Sequence, residues 1–357
     1  MKNVLKTLAI LIGATLLILM IVVMSFLIRG GAFEETASIS PGQCQPIDIE
    51  EGSAEDLQID WKSSTAFLSV LDRRGIVEGR SVKGSILAMP LNSEKVEASK
   101  ALFSQPEDFR PHGLSIFVAD NGTQTLIVIN HAIAGERIEI FEKQESQHLF
   151  HHVETITSPL LLEPNDLVAV GPRQFYVAND SGATNGLEQA AEMIFGWGMS
   201  PLFYFDGAGL RVVDTGLKSS GGINVSLDYT ELYVGETSGE SIRVYRLEQD
   251  RSLGELAGTI NLQAGVDNID VALNGDLWIA NHTNTLALVQ HFGDSDSPAP
   301  TQIQRLQLSA DSSASITTIY ENDGTEFSAG SVGAKFGDEF LIGSITERKL
   351  LRCQMNN

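Results

Sequence analysis

Cysteine is scarce in this chain, and positive charge is well short of negative. Its 357 residues include two cysteines, Cys44 and Cys353. In an exported protein an even count at opposite ends suggests one disulfide, which would close a loop around almost the whole domain. Two unrelated buried thiols are the alternative. Lys and Arg number 24 against 46 Asp and Glu, a formal charge of −22. That balance excludes nucleic acid, whose phosphates need a basic surface, and suits cations instead. Helical periodicity is also scarce. Beyond the N-terminal run, only 182–197 carries it, through Leu187, Ala190, Ala191, Ile194 and Phe195. This segment is expected to be a helix packed over the fold, or an amphipathic lid or lipid-facing element, roles that Trp197 would suit.

There is one long hydrophobic run, 7–28, uncharged and bounded by Lys6 and Arg29. A span of about 20 residues at about 1.5 Å each crosses a bilayer core. The run is longer than a usual leader core and has no small-x-small site after it. Residues 1–29 are therefore expected to be a retained signal anchor, with 30–43 a linker; cleavage as a leader, giving a secreted protein, is the alternative. Lys2 and Lys6 precede the span and Glu34 and Glu35 follow it. This places the N-terminus in the cytoplasm and 44–357 on the periplasmic, luminal or extracellular side.

That exported part reads as all-β. Aliphatic and aromatic runs at 66–70, 126–130, 175–179, 232–236, 277–281 and 340–344 recur at about 45 to 65 residues. Each is preceded by a run with a small or polar start: Glu55-Asp56, His112-Gly113, Asn165-Asp166, Gly221-Gly222, Asp267-Asn268 and Gly330-Ser331. Third runs at 85–89, 137–141 and 241–245 follow several of them. Six units of three or four strands describe a six-bladed β-propeller, behind a single N-terminal transmembrane helix. A β-sandwich is the alternative, but it does not produce six matching sets.

In a propeller the first strand of every blade lines the axis and starts at the same end. The polar starts therefore converge. Carboxylates and carboxamides gathered in an interior are costly unless they bind a cation, and oxygen donors without thiolate select calcium. Glu55, Asn165, Asp267 and Asn268 could hold one ion, and Asp56 and Asp166 a deeper one. His112 starts the inner strand of the second unit and His131 ends its neighbour, so a hairpin brings both over the proposed metal as a candidate base and partner. His282, at the equivalent place in the fifth unit, is expected to line the pocket. His148, His151 and His152 are expected to be solvated.

These motifs resemble the paraoxonase (arylesterase) family across nearly all of 44–353. The matching stretches are Glu55-Asp56-Leu57, Pro111-His112-Gly113, Asn130-His131, Asn165-Asp166-Leu167, Gly222-Ile223-Asn224, Asp267-Asn268-Ile269, Asp276-Leu277-Trp278 and the two cysteines. The resemblance implies a hydrolase of lactones and aryl esters with two calcium ions. The catalytic ion would be held by Glu55, Asn165, Asp267 and Asn268, and the structural ion by Asp56, Asp166 and the Leu114 main-chain carbonyl. It also implies a His112–His131 dyad, with Asp267 a rival base or nucleophile, and a Cys44–Cys353 bond. One position departs: the family has a calcium-binding Asn where this chain has Gly221. Asn224 aligns with a different family residue. Calcium tolerates water among its six to eight ligands, so the loss should weaken the site without abolishing it. The alternatives are a non-catalytic, calcium-stabilised binding propeller, with Gly221 as its trace, and a propeller hydrolase of the gluconolactonase type. Asn121, Asn179, Asn224 and Asn281 head glycosylation motifs, usable in a host that glycosylates exported chains.

Overall fold

The computed structural model describes residues 2–93, 97–144, 146–308 and 314–355. The first residue of the expected anchor and the last two of the expected propeller segment lie outside them. Six antiparallel four-stranded sheets form a six-bladed β-propeller. Their inner strands are Ser53–Asp60, Pro111–Val118, Pro164–Gly171, Ile223–Val225, Gly265–Val271 and Gly330–Phe336. Each inner strand packs on the next, and the last packs on the first, around a central channel.

The six apolar runs are the second strands, buried nearly end to end because each lies between two neighbouring blades. The core is accordingly divided into six wedges, one per junction. Between blades one and two, for example, Phe67 and Ile86 meet Leu126, Val128 and Phe141. Between blades five and six, Trp278 and Ile303 meet Phe340 and Leu351.

The ring is closed by strands far apart in sequence. The outer strand of blade six is Cys44–Asp48, paired with Lys349–Gln354. Cys44 lies opposite Cys353 in that register, and the two form a disulfide with Cα atoms 3.9 Å apart. Closure leaves few exposed sheet edges.

Among the described residues four helices accompany the sheets: α1 (Lys2–Arg29), α2 (Arg73–Val77), α3 (Gly186–Phe195) and α4 (Thr285–Gly293). α1 is long and apolar enough to cross a membrane, with a mean hydropathy of 2.9 and none of its most apolar stretch buried. α3 is the helix expected at 182–197. Asn185 caps its start by accepting from the N–H groups of Leu187 and Glu188, and left-handed Gly196 (φ 64°) ends it. α2 and α4 were not expected. All three short helices lie between the second and third strands of alternate blades, one, three and five. They share the end of the propeller where the inner strands begin. α1 joins that end too: Arg29 donates to the Ile194 carbonyl at the end of α3, and Leu286 N–H of α4 donates to Gly30 O.

Of the four glycosylation motifs, only Asn121 is exposed. Asn179, Asn224 and Asn281 are buried, which removes them as acceptors.

Candidate active site

The inner strands are irregular where they begin. Their pairing slips between Ala54 and Asp56, Pro111 and Leu114, Pro164 and Leu167, and Val266 and Ile269. A bulge re-aims side chains, so consecutive polar residues can both serve the axis. Glu55, Asp267 and Asn268 are buried there, and Asn165 is half-buried.

The amide groups of this cluster are committed and their oxygens are not. Asn268 Nδ2 donates to Glu55 Oε1 at 3.0 Å, and Asn165 Nδ2 donates to Asp180 Oδ2 at 2.9 Å. The Ser331 hydroxyl donates to Glu55 O. Glu55 Oε2, Asn165 Oδ1 and Asn268 Oδ1 are left buried without a hydrogen bond. Two unsatisfied amide oxygens and a carboxylate oxygen that meets only His112 and Arg73, brought from three blades, fit an oxygen-preferring cation. Carboxylates alone would not compose the site: among the described residues no three His, Cys, Asp or Glu side chains gather closely enough to hold a metal.

Glu55 also faces His112 Nε2 at 3.2 Å and Arg73 Nη2 at 3.9 Å. Burial pushes its carboxyl up, but His112, Arg73 and the Asn268 amide outweigh this and hold it at about 2. Asp267 is shifted the other way. Burial raises it, opposed by His282, whose Nε2 lies 2.7 Å from Asp267 Oδ2.

The deeper group meets one layer down. Asp56, Asp166 and Leu114 line a void of about 10 Å³, the scale of one small sphere. Asp56 Oδ2 accepts from Leu114 N, and Asp166 accepts from Leu167 N and Ile223 N. Burial, then a neighbouring carboxylate, pushes both well above the usual carboxylate range.

His112 Nδ1 and His131 Nε2 are 2.6 Å apart, and His131 Nδ1 is 2.5 Å from Glu136 Oε2. Burial lowers the His112 imidazole against the pull of Glu55. His148 is exposed, as expected. His152 is not simply solvated, since its Nε2 meets buried Glu139 Oε2 at 2.8 Å, and His151 lies against the Phe103 ring.

Above the cluster is a cavity of about 630 Å³ that reaches Glu55, His112, Asn165, Asp267 and His282. α3 and α4 wall it with Met193, Leu288, Val289 and Phe292, joined by Trp197, while Glu163, Asp180 and Glu192 make its polar side acidic. Leu187, Met193, Phe195 and Trp197 remain exposed beside the α1 exit. Another cavity, of about 260 Å³, opens at the far end of the channel around Asp60, Asn224 and Asp270, away from the histidines.

Sequence reasoning missed Arg73, Glu136, Asp180 and Thr237. A signal for two of them existed. Asp180 and Thr237 follow the second strands of their blades, the repeat position that His131 and His282 occupy. Arg73 reaches the site from α2, and Glu136 by cross-strand pairing opposite His131.

The arylesterase family model matches residues 35–355. Serum paraoxonase/arylesterase 1 of Rattus norvegicus is 32% identical, the match covering 91% of this chain and 93% of that one. Serum paraoxonase/lactonase 3 of Homo sapiens is 30% identical, over 97% of this chain and 98% of that one. Among solved structures, a luciferin-regenerating enzyme superposes with a TM-score of 0.54 at 12% identity, covering 87% of this chain and 95% of that one. At that identity it shares the fold alone.

Proposed function

Since the chain belongs to the arylesterase family, we propose that it is a calcium-dependent hydrolase of lactones and aryl esters, held on a membrane by α1. The observation that carries this is the set of buried oxygens without a hydrogen bond, Glu55 Oε2, Asn165 Oδ1 and Asn268 Oδ1, gathered beside His112. A calcium ion held by these residues and Asp267 would polarise the substrate carbonyl and offset the charge that develops on its oxygen. A second, between Asp56, Asp166 and the Leu114 carbonyl, would tie blades one, two and three together.

His112 faces the cavity and removes a proton from the attacking water; His131 stands behind it and receives positive charge. The Asp267–His282 pair is the rival base. The acidic wall of Glu163, Asp180 and Glu192 disfavours anionic substrates, and the apolar wall favours neutral ones. The exposed apolar side chains of α3, with Trp197, would rest on the bilayer beside α1, so apolar esters and lactones would enter from the lipid interface.

One observation favours the binding-scaffold reading: Thr237 fills the space beside Gly221. The deciding experiment is hydrolysis of phenyl acetate and of a γ- or δ-lactone by the full chain in detergent, with calcium and then with excess chelator. Turnover abolished by chelation supports the hydrolase. Calcium-dependent stability without turnover supports the scaffold.

A further inference from the structure

Glu136 lies outside every motif that pointed to the site, yet it ends the row of hydrogen bonds that begins there. The second and third strands of blade two, Gln124–Ala132 and Gly135–Lys143, form a tight hairpin in which Glu136 is the residue directly opposite His131. Directly opposed residues share a face of the sheet. Glu136 Oε2 is 2.5 Å from His131 Nδ1, His131 Nε2 is 2.6 Å from His112 Nδ1, and His112 Nε2 faces Glu55 at 3.2 Å. The row runs outward from buried Glu55 to a glutamate side chain that is 24% exposed.

We infer that Glu136 is a positioning residue that orients the His131 ring, Nδ1 toward its own carboxylate and Nε2 toward His112 Nδ1, and so sets the proton order of the His112–His131 pair. This rests on the reading of His112 as the base. An ionised carboxylate only accepts, so His131 must carry its proton on Nδ1. His131 Nε2 is then a lone pair, and it accepts from the Nδ1–H of His112. His112 Nε2 is left unprotonated.

Glu55 pulls the other way, because a proton on His112 Nε2 would suit its carboxylate. The reverse order would set the His131 Nδ1 lone pair against Glu136 Oε2 at 2.5 Å. Glu55 Oε2 is also shared with Arg73. In the reaction, His112 Nε2 takes a proton from water while the Nδ1 proton of His112 passes to His131 Nε2. Glu136 stays ionised beside the imidazolium that results. Such a third group orients an imidazole and stabilises its charged form.

The test uses the full chain in detergent with calcium, ¹⁵N-labelled at histidine, as wild type, Glu136→Gln and Glu136→Asp. In the wild type His131 should show a protonated Nδ1 and an unprotonated Nε2. In Glu136→Gln, whose amide can donate, the signals should move toward the opposite tautomer. The same variant should lose about 10- to 100-fold in kcat with KM little changed, and Glu136→Asp should recover part of it. If Glu136→Gln fails to fold, Glu136→Ala reads the same nitrogen signals. An unchanged His131 tautomer, or an unchanged kcat, overturns the inference. A wild type without turnover would sink the hydrolase reading instead, and the nitrogen spectrum would still decide the relay.

Discussion

A side chain at Gly221 would collide with Thr237: a Cβ there would lie 2.7 Å from Thr237 Oγ1 and 2.9 Å from Val266 O. Thr237 is held in place by donating to that same carbonyl at 2.6 Å. A side chain at 221 and the threonine at 237 thus compete for one space. Gly221→Asn alone should destabilise the fold by about 1–3 kcal/mol, as overpacking does. Adding Thr237→Ala should recover part of this loss and tighten calcium binding. Thermal unfolding and calcium titration calorimetry check both halves, and a double variant no tighter than wild type would refute the link.

The two histidine pairs give different kinetic signatures. With His112 as base, His112→Gln should cut kcat about a hundred- to ten-thousand-fold, while chelation still lowers the unfolding temperature. His282→Gln, which removes the partner of Asp267, should then cost far less. The reverse ranking would move the base to Asp267.

Asp56 and Asp166 share a small void with almost no neutralising group of their own. Calcium should therefore act on stability as well as turnover. At a hundred times its dissociation constant a ligand adds about 2.7 kcal/mol. Asp166→Asn should remove much of the stabilisation gained on adding calcium, and unfolding with and without chelator measures the difference.

Asp72 caps α2 by accepting from Gly75 N at 2.9 Å and pairs with Arg80 at 2.8 Å and Arg348 at 3.3 Å. Burial raises its carboxyl, but the Gly75 N–H and the two arginines outweigh this and leave it below its ordinary value. A depressed folded-state value means the stabilisation is complete above the unfolded value of about 3.9 and disappears as pH falls through the folded one. Asp72→Asn, in chelator, should flatten the decline in stability below about pH 4. Denaturant midpoints across pH 2–6 test it.

The propeller was legible because its repeat marks every blade twice, by a polar inner-strand start and an apolar second strand. The convergence of Glu55, Asn165, Asp267 and Asn268 followed from that geometry. α2 and α4 did not, since helices of five and nine residues are too short for a periodic signal. Arg73 was hidden with α2. Glu136 was hidden for another reason: its partner is set by hairpin register, which depends on where the turn falls rather than on residue type. His152 was misjudged because a polar stretch in sequence became a strand that shields Glu139.

The closure of blade six also imposes a chronology. The strand Cys44–Asp48 leaves the ribosome first among the sheet-forming segments, and its partner, Lys349–Gln354, last. Cys44 can therefore meet its partner only after the chain has been made as far as Cys353, 309 positions on. No nascent intermediate can finish the ring. The bond can thus form in its native register only once the last blade can pair, and a chain cut before its final strand is left with the Cys44 thiol unpaired.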